Sequence, residues 1–135
     1  MNDKLSLGVA RADITPKIGG NLFGYRPDLY SESVNDNLTA SVFAFTQCED
    51  KFVLITVCVC LIDTGVTDEL RKLISEQHNV KIGNIIICAT HTHSGPCITG
   101  APGWGDNDSE YIEKIMYPNI VEAAKQAAKR VVPVK

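Results

Sequence analysis

The sequence predicts an α/β fold: a mixed, mostly parallel sheet with flanking helices, organised around one strand–helix–strand crossover. Three observations predict it. Phe52–Ile62 is apolar nearly throughout, broken only by Thr56, and reads as a strand buried on both faces. Leu70, Leu73 and Ile74 then recur at spacings of three and four, the stripe of an amphipathic helix. A short run, Asn84–Thr90 with Ile85-Ile86-Ile87 at its centre, closes the unit as a parallel neighbour of the first strand.

The chain has 135 residues. That is one domain, spanning 1–135, and folding buries roughly two-thirds of the extended-chain surface. No repeat, low-complexity tract or linker divides it. Leu5 to Ile14 alternates loosely and reads as a strand ending at Thr15-Pro16. Lys17–Asn37 is rich in Gly, Pro, Asn, Asp and Ser, the composition of a long ordered loop. Loops of that length in compact domains are usually functional. Thr39–Thr46 places Phe43 and Phe45 on one face of a strand, and Cys48-Glu49-Asp50-Lys51 turns it into Phe52–Ile62.

The crossover helix is expected over Thr67–His78, with Asp68 and Glu69 in its first turn, where the helix dipole favours acids. Gly83 precedes the next strand. A second helix is expected over Ser109–Arg130, from the spacing of Ile112, Ile115, Met116, Ile120, Ala123, Ala124 and Ala127. Pro118 must kink or split it, and Asp106 and Asp108 are placed to cap it. Val131 to Lys135 opens a further strand, unpaired as far as the sequence shows.

Charge and hydropathy narrow the function. Thirteen basic against 16 acidic residues give a net charge of −3, against the basic face that a nucleic-acid or anionic-membrane binder needs. No apolar run approaches the roughly 18 residues of a membrane span. The N-terminus MNDKLSLG has neither a basic n-region nor an apolar h-region, so no leader is expected. Five cysteines, at 48, 58, 60, 88 and 97, leave an odd one under any pairing. Cys58, Cys60 and Cys88 lie in apolar runs and read as buried thiols, which places the protein in the cytoplasm.

One stretch carries chemistry, Ala89-Thr90-His91-Thr92-His93-Ser94-Gly95-Pro96. Side chains at i and i+2 of extended backbone share a face, so His91 and His93 can turn toward one ion, for which zinc is the first candidate. They stand at the carboxyl end of a predicted parallel strand, where open α/β sheets place their sites. Ser94-Gly95-Pro96 turns the chain sharply and shapes the site, leading into a loop that holds Trp104. A catalytic zinc needs a third protein ligand and an open position.

His78 is too far for that role. It lies at the other end of the strand, about 20 Å away at 3.3 Å per residue, and reads as a solvated helix-end residue. Asp63, closing the Phe52–Ile62 run, is the local candidate for a third ligand or for an acceptor that orients the histidines. A turn residue before Thr64-Gly65 is its alternative role. Cys97 lies within reach of His93 but is left out, thiolate ligation being less common in hydrolytic sites. Ser94 has no base beside it and no catalytic residue is assigned.

Gly8-Val9-Ala10-Arg11-Ala12-Asp13-Ile14-Thr15-Pro16, Gly24-Tyr25, Asp36-Asn37-Leu38-Thr39-Ala40 and Ala89-Thr90-His91-Thr92-His93-Ser94-Gly95-Pro96 follow one another in an order that resembles the neutral/alkaline, non-lysosomal ceramidases. The resemblance runs through the whole chain and covers the N-terminal part of a typical member. It implies a zinc-dependent amidase in which His91 and His93 bind one ion. The family's further ligands (another histidine, a glutamate and a tyrosine) come from later in its chain and have no counterpart here, so the ligand set is incomplete.

The leading expectation is therefore a ceramidase-like zinc hydrolase domain that cleaves a C–N amide bond of a small amide or lipid amide. It would complete its site from a missing C-terminal portion or from a second copy. The alternative is a non-catalytic α/β module that binds or oligomerises, which the unpaired Val131–Val134 edge favours. A metallo-β-lactamase or amidohydrolase type fits less well, since no Asp-His follows the pair.

Overall fold

Alternation of apolar and polar residues builds one half-covered sheet. The computed structural model describes residues 3–135. Met1 and Asn2, the start of the stretch in which no leader is expected, lie outside them. Strand β1 (Ser6–Asp13) runs antiparallel to β3 (Thr39–Gln47), pairing Leu7 with Phe45 and Val9 with Phe43. A tight turn at Cys48-Glu49, with Cys48 at φ 52°, sends β3 into β4 (Asp50–Val57). Strand β5 (Ile85–Ala89) then lies parallel to β4, and a short β7 (Val132–Pro133) pairs antiparallel with β1. The order is β5-β4-β3-β1-β7.

The sheet is mixed, as expected, but not mostly parallel. Only the β4–β5 pairing is parallel; the other three pairings are antiparallel. Parallel neighbours need a long crossover, and helix α1 (Thr64–His78) supplies the single one between adjacent strands. The Cys48-Glu49 turn is too short for anything but a hairpin. The strand that the sequence left unpaired is also paired on one side, Val132 and Pro133 with Leu7 and Ser6, and forms the edge of the sheet.

Both helices pack on the same face of the sheet. Val66, Leu70 and Ile74 of α1 and Ile120, Ala123, Ala124 and Ala127 of α3 (Tyr117–Lys129) share one core with Ala10, Ala12, Val42, Ile55, Val57 and Ile85. Burying a side chain such as Ile55 or Ile74, each 0% exposed, contributes roughly 1.5–3 kcal/mol. The small residues of β1 let α3 approach closely. A Cβ on Gly8 would collide with the Ala127 carbonyl.

The opposite face is bare. Val9 pairs with Phe43, Phe43 with Leu54 and Leu54 with Ile86 across the four strands, and Ile86 is 55% exposed. The expectation that Phe52–Ile62 is buried on both faces is thus corrected: Val53, Ile55 and Val57 face the helices, while Phe52 is exposed. An apolar run reports hydrophobicity on both sides of a strand, not what covers it. Cys88, expected buried, is exposed on this face.

Helix α1 starts at Thr64, three residues before the expected Thr67, so Asp68 and Glu69 fall outside the first turn. Asp63 caps it, accepting from Gly65 N at 2.8 Å. The C-terminal helix is split as Pro118 requires. Helix α2 (Ser109–Tyr111) is capped by Asp108, and a π turn over Ile112–Met116 leads into α3. The wider turn absorbs the irregularity that proline introduces one residue into α3.

Candidate metal centre

Two more backbone hydrogen bonds extend the β4–β5 ladder beyond both strands. Thr90 N donates to Val57 O and His91 N to Val59 O, each at 3.0 Å. This extension sets His91 beside Cys60, at the carboxyl edge of the two parallel strands. The chain then leaves the extended form. His91 takes φ 65°, in the left-handed region that non-glycine residues rarely occupy.

The two histidines converge, but not by strand alternation. Strand β5 ends at Ala89, and the left-handed turn at His91 brings its ring within 5.0 Å of the His93 ring, centroid to centroid. Gly24 and Tyr25, from the loop between β1 and β3, close over His93. The Tyr25 ring meets the His93 imidazole edge-on at 5.1 Å. Gly24, at φ 126°, leaves no room for a Cβ, which would collide with the His93 ring.

Polar contacts fix the His91 tautomer. Its Nδ1 lies 3.0 Å from the Cys60 carbonyl. A carbonyl can only accept, so Nδ1 carries the proton and Nε2 keeps its lone pair. Backbone partners of this kind orient metal-binding imidazoles. The Cys60 thiol is at 3.5 Å from Nδ1 and 3.9 Å from Nε2. Donor atoms of Cys60, His91 and His93 all lie within 4.8 Å of one another. Cys60 is buried and burial pushes its thiol pKa up, whereas His91 is exposed. Two imidazoles and a thiol suit zinc, which takes nitrogen and sulfur ligands.

The remaining expected residues are placed as follows. Ser94 N donates to Thr92 Oγ1 at 3.3 Å, and the Ser94 side chain faces solvent. Gly95–Pro96 form β6, which pairs with β2 (Leu22–Phe23) and so ties the His-Thr-His segment to the long loop. Asp63 commits Oδ1 to the start of α1 and is not among the three converging groups. His78 ends α1, away from this edge; its Nε2 is buried with no hydrogen-bond partner among the described residues, so it is not the solvated group expected.

Beneath the site, Phe23, Cys60 and Cys97 form a small buried cluster with Ala101 and Trp104. The Trp104 ring rests 4.4 Å from that of Phe23. Beside it, an open cleft of about 570 Å³ runs between the Lys17–Asn37 loop and Thr92 and Ser94. A larger groove, about 730 Å³, lies between α1 and the C-terminal helix and carries Asp63.

Sequence reasoning missed two residues. Cys60 was assigned to the core, and only the ladder's extension reveals its neighbour. Asp13 was given no role, yet it accepts from the Thr15 hydroxyl at 2.6 Å, from Thr15 N at 2.9 Å and from Asn37 Nδ2 at 2.6 Å. It thereby clamps both ends of the long loop. Those bonds, the Thr15 hydroxyl first, hold its carboxyl below the usual range. An Asp two residues before a Thr is the available signal, since aspartate readily bonds the backbone two residues on.

The sequence model described as neutral/alkaline non-lysosomal ceramidase, N-terminal, matches residues 5–131. The chain belongs to that family. Among solved structures, the neutral ceramidase from Pseudomonas aeruginosa superposes with a TM-score of 0.83 at 21% identity, over 98% of this chain and 23% of that one. A structure described as ceramidase complexed with C2 gives a TM-score of 0.76 at 19% identity, over 98% and 22%. These likenesses establish the ceramidase N-terminal fold. The chain spans less than a quarter of the length of either structure.

Proposed function

We propose that this ceramidase-family chain is the metal-carrying portion of a zinc-dependent hydrolase that cleaves the C–N bond of a lipid amide. His91 and His93 hold the ion. The observation that carries the proposal is their convergence at the open edge of the β4–β5 pair, with His91 Nε2 left free by the Nδ1–Cys60 carbonyl bond. Bound zinc supplies a water acidic enough to ionise near neutral pH and a positive charge for the carbonyl oxygen.

The chain's own residues orient and shelter. The Cys60 carbonyl fixes the His91 ring, and Gly24 and Tyr25 hold His93 in place. Ser94, Gly95 and Pro96 anchor the turn against Leu22–Phe23. Asp63 steadies the start of α1 at the same edge of the sheet. The lipid-amide class is suggested by the family and by the ceramidases that the chain resembles in fold. A cytoplasmic setting belongs to the same proposal, supported by five cysteines that stand unpaired.

Elemental analysis of protein purified without an affinity metal tests the reading. Near-stoichiometric zinc in the wild type, lost in His91→Ala/His93→Ala, is expected. Zinc absent from the wild type, or unchanged in the double variant, would overturn it.

The uncovered apolar row, with Val9 and Ile86 exposed and Phe43 and Leu54 half-buried between them, favours a second reading, an association module that works through its sheet face. A change of oligomeric state in Ile86→Lys, with zinc content unaltered, would support that one instead.

A further inference from the structure

We propose that the groove between α1 and the C-terminal helix binds an aliphatic ammonium ion, a primary amine on a hydrocarbon tail. The groove shares no residue with the converging histidines. Its ligand is of the class that C–N cleavage of a lipid amide releases. That link to the reaction rests on the reading that His91 and His93 hold a catalytic ion; the groove's own preference does not.

Its shape suits a small molecule. The groove holds about 730 Å³, within the roughly 300–1,000 Å³ typical of small-molecule sites. It follows α1 from Asp63 to Gln77, about 20 Å at 1.5 Å per residue, which is room for an extended hydrocarbon chain. Val66, Leu73, Ile112 and Val121 give it an apolar floor. Tyr117 lies across that floor, where its hydroxyl donates to the Val66 carbonyl at 3.1 Å and ties the two helices together. The π turn contributes Ile112 and Glu113, and such turns are frequent at functional sites.

Charge selects the occupant. Asp63, Glu69 and Glu113 stand along the groove, and no Lys or Arg lines it. Among the described residues, none of these three carboxylates has an ion-pair partner. Burial, and then the charges of Glu69, Glu113 and Asp63, push the Tyr117 hydroxyl's pKa up, so three negative groups act on one point of the floor. A fatty acid would be repelled there, and a neutral chain would leave the carboxylates unanswered. A bare metal ion fits no better, because the three do not converge. Among the described residues, the cluster of metal-ligating side chains is Cys60, His91 and His93. An ammonium head on an apolar tail meets both features, laying hydrocarbon on the floor and charge at the rim as a lysine does on a protein surface.

Titration of the metal-free, isotope-labelled chain with octylammonium chloride, followed by amide NMR shifts, reads the site directly. Shifts at Val66, Glu69, Leu73 and Ile112 are expected, with hexylammonium binding about tenfold weaker for two fewer buried methylenes. Octanol and octanoate should each bind at least about tenfold weaker than octylammonium. Glu69→Gln/Glu113→Gln removes two exposed charges and should weaken octylammonium about fivefold. Glu49→Gln/Asp50→Asn, equal in charge and outside the groove, should not. Octanol binding as well as the amine, an unchanged affinity in the Glu69→Gln/Glu113→Gln variant, or shifts confined to the bare sheet face around Phe43 and Ile86 would overturn the proposal. So would shifts of the groove amides on concentrating the protein alone, which would make the occupant a second copy. The two readings fail separately. Octylammonium held in the groove of a chain that takes no zinc would uphold the site and sever it from the reaction. Zinc bound by a chain whose groove ignores the amine would overturn the site and leave the histidines standing.

Discussion

His91 Nδ1 and the Cys60 carbonyl are 3.0 Å apart, and that bond joins the ends of two parallel strands across the edge of the sheet. It does two jobs. It selects the imidazole tautomer, and it holds the ring in register with a backbone turn at φ 65° that the residue would not adopt freely.

The turn makes position 91 sensitive to side-chain shape as well as to chemistry. His91→Val should lose roughly 1–3 kcal/mol, because a β-branched residue is strained in the left-handed region. His91→Asn should lose less, since asparagine tolerates that region. Both should lose bound zinc. Urea denaturation of the pair separates the two effects, and equal destabilisation would show that the turn is not what constrains the position.

Gly24 controls His93 from the opposite side. Gly24→Ala combines a strained φ with a collision against the imidazole, and is expected to lower zinc affinity at least tenfold. Gly19→Ala is the control, with φ 96° but nothing within 4 Å of the added methyl. It should destabilise modestly and bind zinc as the wild type does. Isothermal titration of both variants checks the difference; similar affinities would mean that His93 simply moves aside.

Asp13 gives the fold an acid-sensitive clamp. Its carboxyl is held below the usual value by the Thr15 and Asn37 bonds, so the folded state favours the ionised form. Its contribution is complete above the unfolded pKa of about 3.9 and is lost as pH falls through the lower folded value. Asp13→Asn should therefore flatten the fall in stability below about pH 4, measured by urea midpoints across that range. An unchanged slope would show that other carboxylates carry it.

The one-sided layering predicts an asymmetry between neighbours on the same sheet. Ile55→Ala, under the helices at 0% exposure, should cost about 2–5 kcal/mol. Ile86→Thr, on the bare face at 55% exposure, should stay within about 0.5 kcal/mol. Thermal or urea unfolding of the two tests this directly. A large cost at Ile86 would mean that the face is covered in solution.

Local patterns carried much of this protein in its sequence. Period two gave β1 and β3, period three to four gave α1 and α3, and Pro118 announced the break that the π turn supplies. Thr90-His91-Thr92-His93-Ser94-Gly95-Pro96 marked the site because its chemistry and its turn residues are contiguous, and the same segments placed the chain in its family. Tertiary structure alone decided the rest. Strand direction depends on connections between segments, so the antiparallel majority and the pairing of β7 with β1 were not legible. Which side of an apolar strand is covered depends on where the helices land, and they share one face. Cys60 looked like a core thiol because nothing in its own neighbourhood says otherwise. Its place beside His91 arises from a ladder between residues thirty positions apart, and a pairing at that distance is set by the packing of the whole sheet rather than by any local pattern.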